Sequence, residues 1–321
     1  MKRPRIKKAL VTGIAGFVGL HLAEALLRRG FRVRGLDNFM CSRREGLRPL
    51  LGDIEFIEGD VRDRRHVRRA VDGVDAVFHL AAIRSVVKTV EDPLVAHEVN
   101  ATGALLLLDG AMKAGVKHFI FTSTSAVYGE ARAPRQRESG KTLPISPYGI
   151  AKAAAEEYLR YYFRQTGFPS TAVRIFNVYG PRQNPESKYS LVIPGMLSRI
   201  LAGQRPVIEG GGRQSRDFVY IGDILEAFFR ILGNPAAYGK VYNLGSGRTT
   251  SINDIAGALL RLSGSRLRPL RAPRRPGDPK RTCADISLIR KELGWTPKVS
   301  LEKGLKEVIG WATRSKKEGS C

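Results

Sequence analysis

The sequence predicts an α/β chain built on a doubly wound parallel sheet, joined to a smaller, discontinuous α/β domain. Three observations predict it. A strand, a glycine turn, a helix, a second strand and an acidic residue follow one another within residues 8–37. Strands and helices then alternate with short connections up to Thr122. Beyond the last of these strands a long helix opens at Ser146-Pro147 and carries Tyr148 and Lys152 on one face.

The elements follow in order. Lys8-Ala9-Leu10-Val11-Thr12 reads as a short buried strand and runs into Gly13-Ile14-Ala15-Gly16-Phe17-Val18-Gly19. A helix begins near Gly16 and stops at Gly30, and the strand Arg32–Leu36 ends at Asp37. This is the layout of a dinucleotide site. Its glycines let the backbone approach a pyrophosphate, whose charge rests on the helix N-terminus. A carboxylate at Asp37 accepts from both ribose hydroxyls and repels a 2′-phosphate, so the expected cofactor is NAD rather than NADP. Ile54–Ile57 is a third strand. Asp60 at its end is placed to bind the adenine amino group, with Val61 against the ring. The strand Ala76–Leu80 follows, and Ala81 and Ala82 leave room beside it. His79 reads as a core residue. A long helix over about Asn100–Ala114 precedes the strand His118–Thr122, which ends in Thr122-Ser123-Thr124-Ser125-Ala126.

Ser146 suits an N-cap, Pro147 the first helical position and Gly167 the stop. Tyr148 and Lys152 are spaced i, i+4. A phenol beside an ammonium makes a base, because the positive charge favours phenolate.

Composition agrees with a globular chain of ample core: 321 residues, 43% of them hydrophobic. The cysteines Cys41, Cys283 and Cys321 have no metal-ligand or CxxC spacing. They point to a reducing compartment, and the expected location is the cytoplasm. The basic start and the apolar run after it lack the pattern of a leader, being broken by Gly13, Gly16, Gly19, His21 and Glu24. No run is apolar and long enough to predict a membrane helix. The net charge of +24 is spread evenly, with 27 of the 54 Lys and Arg in residues 1–160. It fits a basic surface suited to anionic ligands; a nucleic-acid partner is the less favoured reading.

Taken together, Gly13-x-x-Gly16-x-x-Gly19, Asp37, Asp60-Val61, Leu80-Ala81-Ala82, Asn100, Thr122-Ser123-Thr124, Val127-Tyr128-Gly129 and Tyr148-x-x-x-Lys152 resemble the extended short-chain dehydrogenase/reductase family. Within it the chain is similar to the NAD-dependent nucleotide-sugar epimerases, over about residues 8–312. The resemblance implies a Rossmann domain over 1–177 and a mainly substrate-binding domain over 178–321, with about 216–245 returning to the first. It implies that Gly13, Gly16, Phe17, Val18, Asp37, Asn38, Asp60, Val61, Leu80, Ala81, Ala82, Asn100, Thr122, Tyr148 and Lys152 hold NAD. It further implies a catalytic set of Thr124, Tyr148 and Lys152, no metal, and a homodimer.

For a nucleotide-sugar substrate the resemblance implies Thr124, Asn177, Val192, Arg216, Arg275, Asp278 and Thr282. Arg216 stands in Arg216-Asp217-Phe218-Val219-Tyr220 and Arg275 in Arg275-Pro276-Gly277-Asp278. Two convergent guanidinium groups suit a diphosphate. The implied reaction is 4-epimerisation of UDP-hexoses, with Thr282, small at a position where tyrosine excludes N-acetyl groups, admitting UDP-N-acetylhexosamines. Related 4,6-dehydratases carry Thr-Asp-Glu where this chain has Thr124-Ser125-Ala126, and decarboxylases usually keep the Glu. Neither carboxylate is present here, which lowers both alternatives. A binding or scaffold protein that reuses the fold has no need of Thr124, Tyr148 and Lys152.

Overall fold

The computed structural model describes residues 3–130, 133–183, 192–273 and 279–317. Its strands are β1 (Lys8–Thr12), β2 (Arg32–Asp37), β3 (Glu55–Glu58), β4 (Ala76–His79), β5 (His118–Thr124), β6 (Ser170–Ile175), β7 (Asn177–Tyr179), β8 (Val207–Glu209), β9 (Ser215–Arg216), β10 (Phe218–Tyr220), β11 (Lys240–Leu244), β12 (Thr250–Ser251) and β13 (Leu270–Ala272). Its α-helices are α1 (Phe17–Arg28), α2 (Arg44–Leu47), α3 (Arg64–Val71), α4 (Val86–Glu91), α5 (Pro93–His97), α6 (Gly103–Lys113), α7 (Pro147–Thr166), α8 (Val192–Leu201), α9 (Ile221–Ile231), α10 (Ile252–Leu262), α11 (Ser287–Leu293) and α12 (Leu301–Lys317). Among the described residues no helix is long and apolar enough to cross a membrane.

Seven strands form one sheet in the order β11-β6-β5-β4-β1-β2-β3, every pair parallel. The predicted doubly wound sheet is therefore present. Strands β1, β4 and β5 are buried along their whole length, as central strands covered on both faces must be. Chain order reverses between β1 and β4, and in sheets of this kind ligands bind at such a switch point, at the carboxyl ends of the strands. Two apolar clusters line the two faces of this sheet. A third, built from α8, α10, α12 and the short strands, forms a separate core beside them.

Two expectations need correction. The third strand runs Glu55–Glu58, one residue later than read. The helix expected over Asn100–Ala114 is not regular. Residues Glu98–Thr102 form a π-helical turn between α5 and α6. That widened turn lets the buried Asn100 amide reach across to Ile83, a demand that side-chain periodicity does not reveal.

His79 and His118 sit fully buried in the sheet. At His118, Nδ1 accepts from Gly233 N (3.0 Å), and Nε2 meets Thr171 Oγ1 (2.9 Å), which itself donates to Ala237 O. That network assigns a neutral ring with its proton on Nε2. Burial lowers its pKa to about 3. The folded value lies below the unfolded one, so stability is present above pH 6.5 and is lost as pH falls toward 3, by up to about 5 kcal/mol. Urea unfolding should show this slope, and His118→Gln should reduce it, leaving the share of the equally buried His79. Equal stability at pH 7 and pH 4.5 contradicts the assignment.

Candidate active site

The glycine turn is closed by steric necessity. Gly13 adopts φ 68°, and a Cβ there would lie 2.7 Å from Ala81 N. A Cβ on Gly19 would lie 2.3 Å from Gly13 O. Gly16 caps α1 without a side-chain hydrogen bond, so the first amides of the helix, those of Phe17 and Val18 among them, face outward with no side-chain partner. Asp37, buried at the end of β2, accepts from Ala15 N (2.9 Å) through one oxygen and from Phe39 N (2.8 Å) and Ser42 Oγ (2.9 Å) through the other. The carboxylate thus braces the turn that it flanks.

Other predicted cofactor residues are engaged in ways the sequence does not announce. Asp60 accepts from Arg62 N, Nε and Nη2 (2.8, 3.0 and 2.7 Å) and from Asn38 Nδ2 (2.9 Å). Burial pushes the Asp60 carboxyl up, but these bonds outweigh it and hold it below the usual carboxylate range. The Val61 side chain is buried in the core against Gly103, so its backbone rather than its side chain is left for a ligand. Asn100 is likewise spent internally: Ile83 N donates to its Oδ1 (2.9 Å) and its Nδ2 donates to Ile83 O (3.0 Å). It props the segment from Leu80 to Ile83 rather than presenting a free amide. Leu80 N and Ala81 N both donate to Thr12 Oγ1 at 3.2 Å, and Ala82 follows half-buried.

The end of β5 and the start of α7 meet. Ser146 caps α7 by accepting from Gly149 N (3.2 Å), Pro147 takes the first position, and Gly167 ends the helix in the left-handed region. Lys152 is buried; its Nζ donates to Thr122 O (2.8 Å) and lies 4.5 Å over the Phe121 ring. Thr122 Oγ1 donates to His79 O (2.8 Å). Thr124 Oγ1 accepts from Ala126 N (3.2 Å), and its side chain favours the charged form of Tyr148.

The electrostatics differ from the expected pair. Burial raises the Tyr148 phenol above its ordinary value, and the groups pulling it down are Thr124 and the charge of Arg84. Burial also lowers Lys152 to about 7, against the opposing pull of Glu156. Burial therefore works against the charged form of both residues. Arg84 was missed by the sequence reading. Its signal is its place two residues after the small pair Ala81-Ala82.

On the other side, Arg216, Asn177 and Thr282 converge on the short segment Ser215–Asp217. Asn177 N donates to Asp217 O (2.9 Å), and Thr282 N donates to Ser215 O (3.2 Å). Arg216 is buried and its Nη1 donates to Ser215 O (2.7 Å). Asp217, also missed, anchors this segment by accepting from Ser246 N, Ser246 Oγ, Gly247 N and Ala284 N (2.6–3.0 Å). Thr282 Oγ1 is buried without a hydrogen-bond partner. Val192 opens α8, half-buried. Arg275 and Asp278 lie outside the described residues. Among the described residues no group of three or more His, Cys, Asp or Glu is arranged to hold a metal ion.

The sequence profile of the NAD dependent epimerase/dehydratase family matches residues 9–245. A UDP-glucose 4-epimerase of Mycolicibacterium smegmatis is 35% identical, over 94% of this chain and 97% of its own. The crystal structure of a UDP-glucose 4-epimerase from Thermotoga maritima with UDP-glucose superposes with a TM-score of 0.92 at 36% identity, covering 96% of this chain and 99% of that one. A UDP-N-acetylglucosamine 4-epimerase from Methanobrevibacter ruminantium, in complex with UDP-N-acetylmuramic acid, gives 0.91 at 35%, covering 97% and 100%. Relatives at 33–35% identity also include a UDP-N-acetyl-α-D-glucosaminuronate decarboxylase and a dTDP-D-glucose 4,6-dehydratase.

Proposed function

The chain belongs to the NAD-dependent epimerase/dehydratase family, and from that premise we propose that it interconverts UDP-hexoses epimeric at C4, N-acetylated ones included. The observation that carries this reading is the set of Thr124, Tyr148 and Lys152 with no carboxylate at Ser125 or Ala126. The donor set fits the family's cofactor. The outward amides of α1 suit a pyrophosphate, the Asp37 carboxylate a ribose without a 2′-phosphate, and Lys152 the second ribose.

When bound, NAD supplies the hydride acceptor and donor at the sugar carbon. Tyr148 takes the proton of the C4 hydroxyl as phenolate and returns it when the carbonyl is reduced. Thr124 orients the reacting oxygen and Arg84 favours the phenolate. Arg216, with Arg275 by the family pattern, holds the diphosphate while the 4-keto sugar turns over. We assign this nucleotide-sugar grip mainly to residues from about 178 onward, with about 216–245 returning to the cofactor domain and bringing Arg216 to the boundary between them. Elimination of water from the same intermediate, or loss of CO₂ from its uronate counterpart, is assisted by acid–base groups that Ser125 and Ala126 do not offer.

The test is incubation with UDP-galactose, UDP-GalNAc, UDP-glucuronate and dTDP-glucose, with products identified by NMR. Conversion of the first two to their C4 epimers is expected. A 4-keto-6-deoxy product or CO₂ release in place of epimers refutes the reading. Conversion of UDP-galactose alone refutes the N-acetyl part, which rests on Thr282.

The same reading includes a homodimer. α4 and α5 pack beside α7, and their outer faces carry Val90, Leu94, Tyr158 and Tyr161, with Leu94 76% and Tyr161 59% exposed. A second copy of this chain would cover that apolar stripe. Light scattering should give about twice 35.4 kDa, and Leu94→Asp should shift the population toward monomer. A monomeric parent chain sinks the idea.

A further inference from the structure

Three residues assigned above to the nucleotide sugar come from distant parts of the chain and meet at Ser215–Asp217. Ser215 O accepts from Arg216 Nη1 (2.7 Å) and from Thr282 N (3.2 Å), so the guanidinium and the Thr282 backbone share one carbonyl. Asp217 O accepts from Asn177 N (2.9 Å). Whatever fixes Ser215–Asp217 therefore fixes all three relative to one another.

The Asp217 side chain is placed to do this. It is fully buried, and the reaction above does not use it. Its Oδ1 accepts from Ser246 N (2.6 Å) and Ser246 Oγ (2.7 Å), just beyond β11. Its Oδ2 accepts from Gly247 N (3.0 Å) and from Ala284 N (2.9 Å), two residues after Thr282. The fit leaves no room: a Cβ on Gly245 would lie 2.8 Å from Asp217 Oδ2 and 2.6 Å from Ala284 Cβ. A second grip comes from the buried Gln136. Gln136 N donates to Cys283 O (2.8 Å), Cys283 N donates to Gln136 Oε1 (2.6 Å), and Asp285 N donates to Gln136 O (2.8 Å). Every amide from Thr282 to Asp285 is thus committed to Ser215, Asp217 or Gln136. All four donors to Asp217 are neutral groups. A buried carboxylate held in this way depends on each of them.

We propose that Asp217 is a positioning residue for nucleotide-sugar binding: its carboxylate ties the end of β11 and the Thr282–Asp285 segment to Ser215–Asp217, and so sets the diphosphate arginine and the sugar-facing Thr282 in one frame. Asp217 acts on the substrate only through Asn177, Arg216 and Thr282. None of its bonds involves Thr124 or Lys152, which are held at the end of β5. Its loss therefore weakens the hold on the nucleotide sugar and leaves the proton transfer intact.

This inference rests on the nucleotide-sugar reading, so its test includes a binding measurement that needs no turnover. Asp217→Asn keeps size and shape but replaces one acceptor by an NH₂. Turned toward Gly247 and Ala284, that NH₂ meets two N–H groups; turned toward Ser246, it meets one N–H even if the hydroxyl reverses. At least one bond is lost either way. Calorimetry with UDP on the full chain should show a Kd raised about tenfold, the worth of one such bond to a charged group. The KM for UDP-galactose should rise with it, while kcat and NAD content per folded chain stay within about twofold. Asp217→Asn risks the fold, so Ser246→Ala is the second variant. It removes one donor and keeps the backbone, and roughly a threefold rise in Kd is expected. Parent-like UDP affinity in both variants overturns the proposal. So does a drop in kcat and NAD content with Kd unchanged, which marks a structural role alone. A parent chain that binds UDP but epimerises no sugar refutes the reaction and leaves the role of Asp217 standing. A parent chain that binds no UDP overturns both.

Discussion

Tyr148→Phe is expected to lower kcat about 10²- to 10⁴-fold, the usual worth of a positioned acid–base group. NAD content and thermal stability should be nearly unchanged. The substitution deletes one oxygen and keeps the half-buried ring. Thr124 Oγ1 still accepts from Ala126 N, so the turn at the end of β5 keeps its cap. Lys152 remains bonded to Thr122 O, so its hold on the strand end also persists. What disappears is the group that takes the C4 proton. Its loss separates chemistry from binding: cofactor measured on the purified variant should match the parent, while the NMR assay should show little epimer. A variant that epimerises at the parent rate would remove Tyr148 from the mechanism.

The largest stability loss is expected at Arg174, far from any surface. Arg174→Met leaves Glu156 buried with Ser123 as its one close donor and takes a donor from Tyr128. Breaking a buried pair from one side costs about 3–5 kcal/mol, because the remaining charge stays desolvated. For a chain of this size that corresponds to roughly 5–10 °C in melting temperature. Calorimetry at pH 7 would measure it. Adding Glu156→Gln should recover a large part of the loss, since no uncompensated charge then remains. A single variant that melts within a degree of the parent would mean that the pair contributes no net stability.

Both variants act on residues whose legibility in the sequence was unequal. Tyr148 was legible because helix geometry is local: a spacing of four residues, an N-cap and a proline place two side chains on one face without knowledge of the rest. The glycine turn and Asp37 were legible for a similar reason. The strand, turn and helix that make them a site are consecutive in the chain, and steric demands at Gly13 and Gly19 follow from that closeness. That the sheet is parallel and doubly wound followed from the alternation of buried strands with helices; its strand order came from the structure.

Contacts between distant segments were not legible. Asn100 looked like a cofactor ligand, and only the π-helical turn shows its amide closing on Ile83. Val61 looked like a surface for a ring and is core, because Gly103 leaves a hollow that it fills. Arg62 follows Asp60 in the chain, yet its capture of that carboxylate depends on side-chain conformation. Arg84 acts on Tyr148 across 64 residues of chain, and Glu156 meets Ser123 and Arg174 only when β5, β6 and α7 have packed.

By itself, then, the sequence determined the sheet, the glycine turn after its first strand and the helix that brings Tyr148 and Lys152 to one face, all of which rest on local spacing. The tertiary structure decided the electrostatics of that base. Burial, which is a property of the packed molecule, raises Tyr148 and lowers Lys152. The charges that oppose it, Arg84 and Glu156, come into place only through folding.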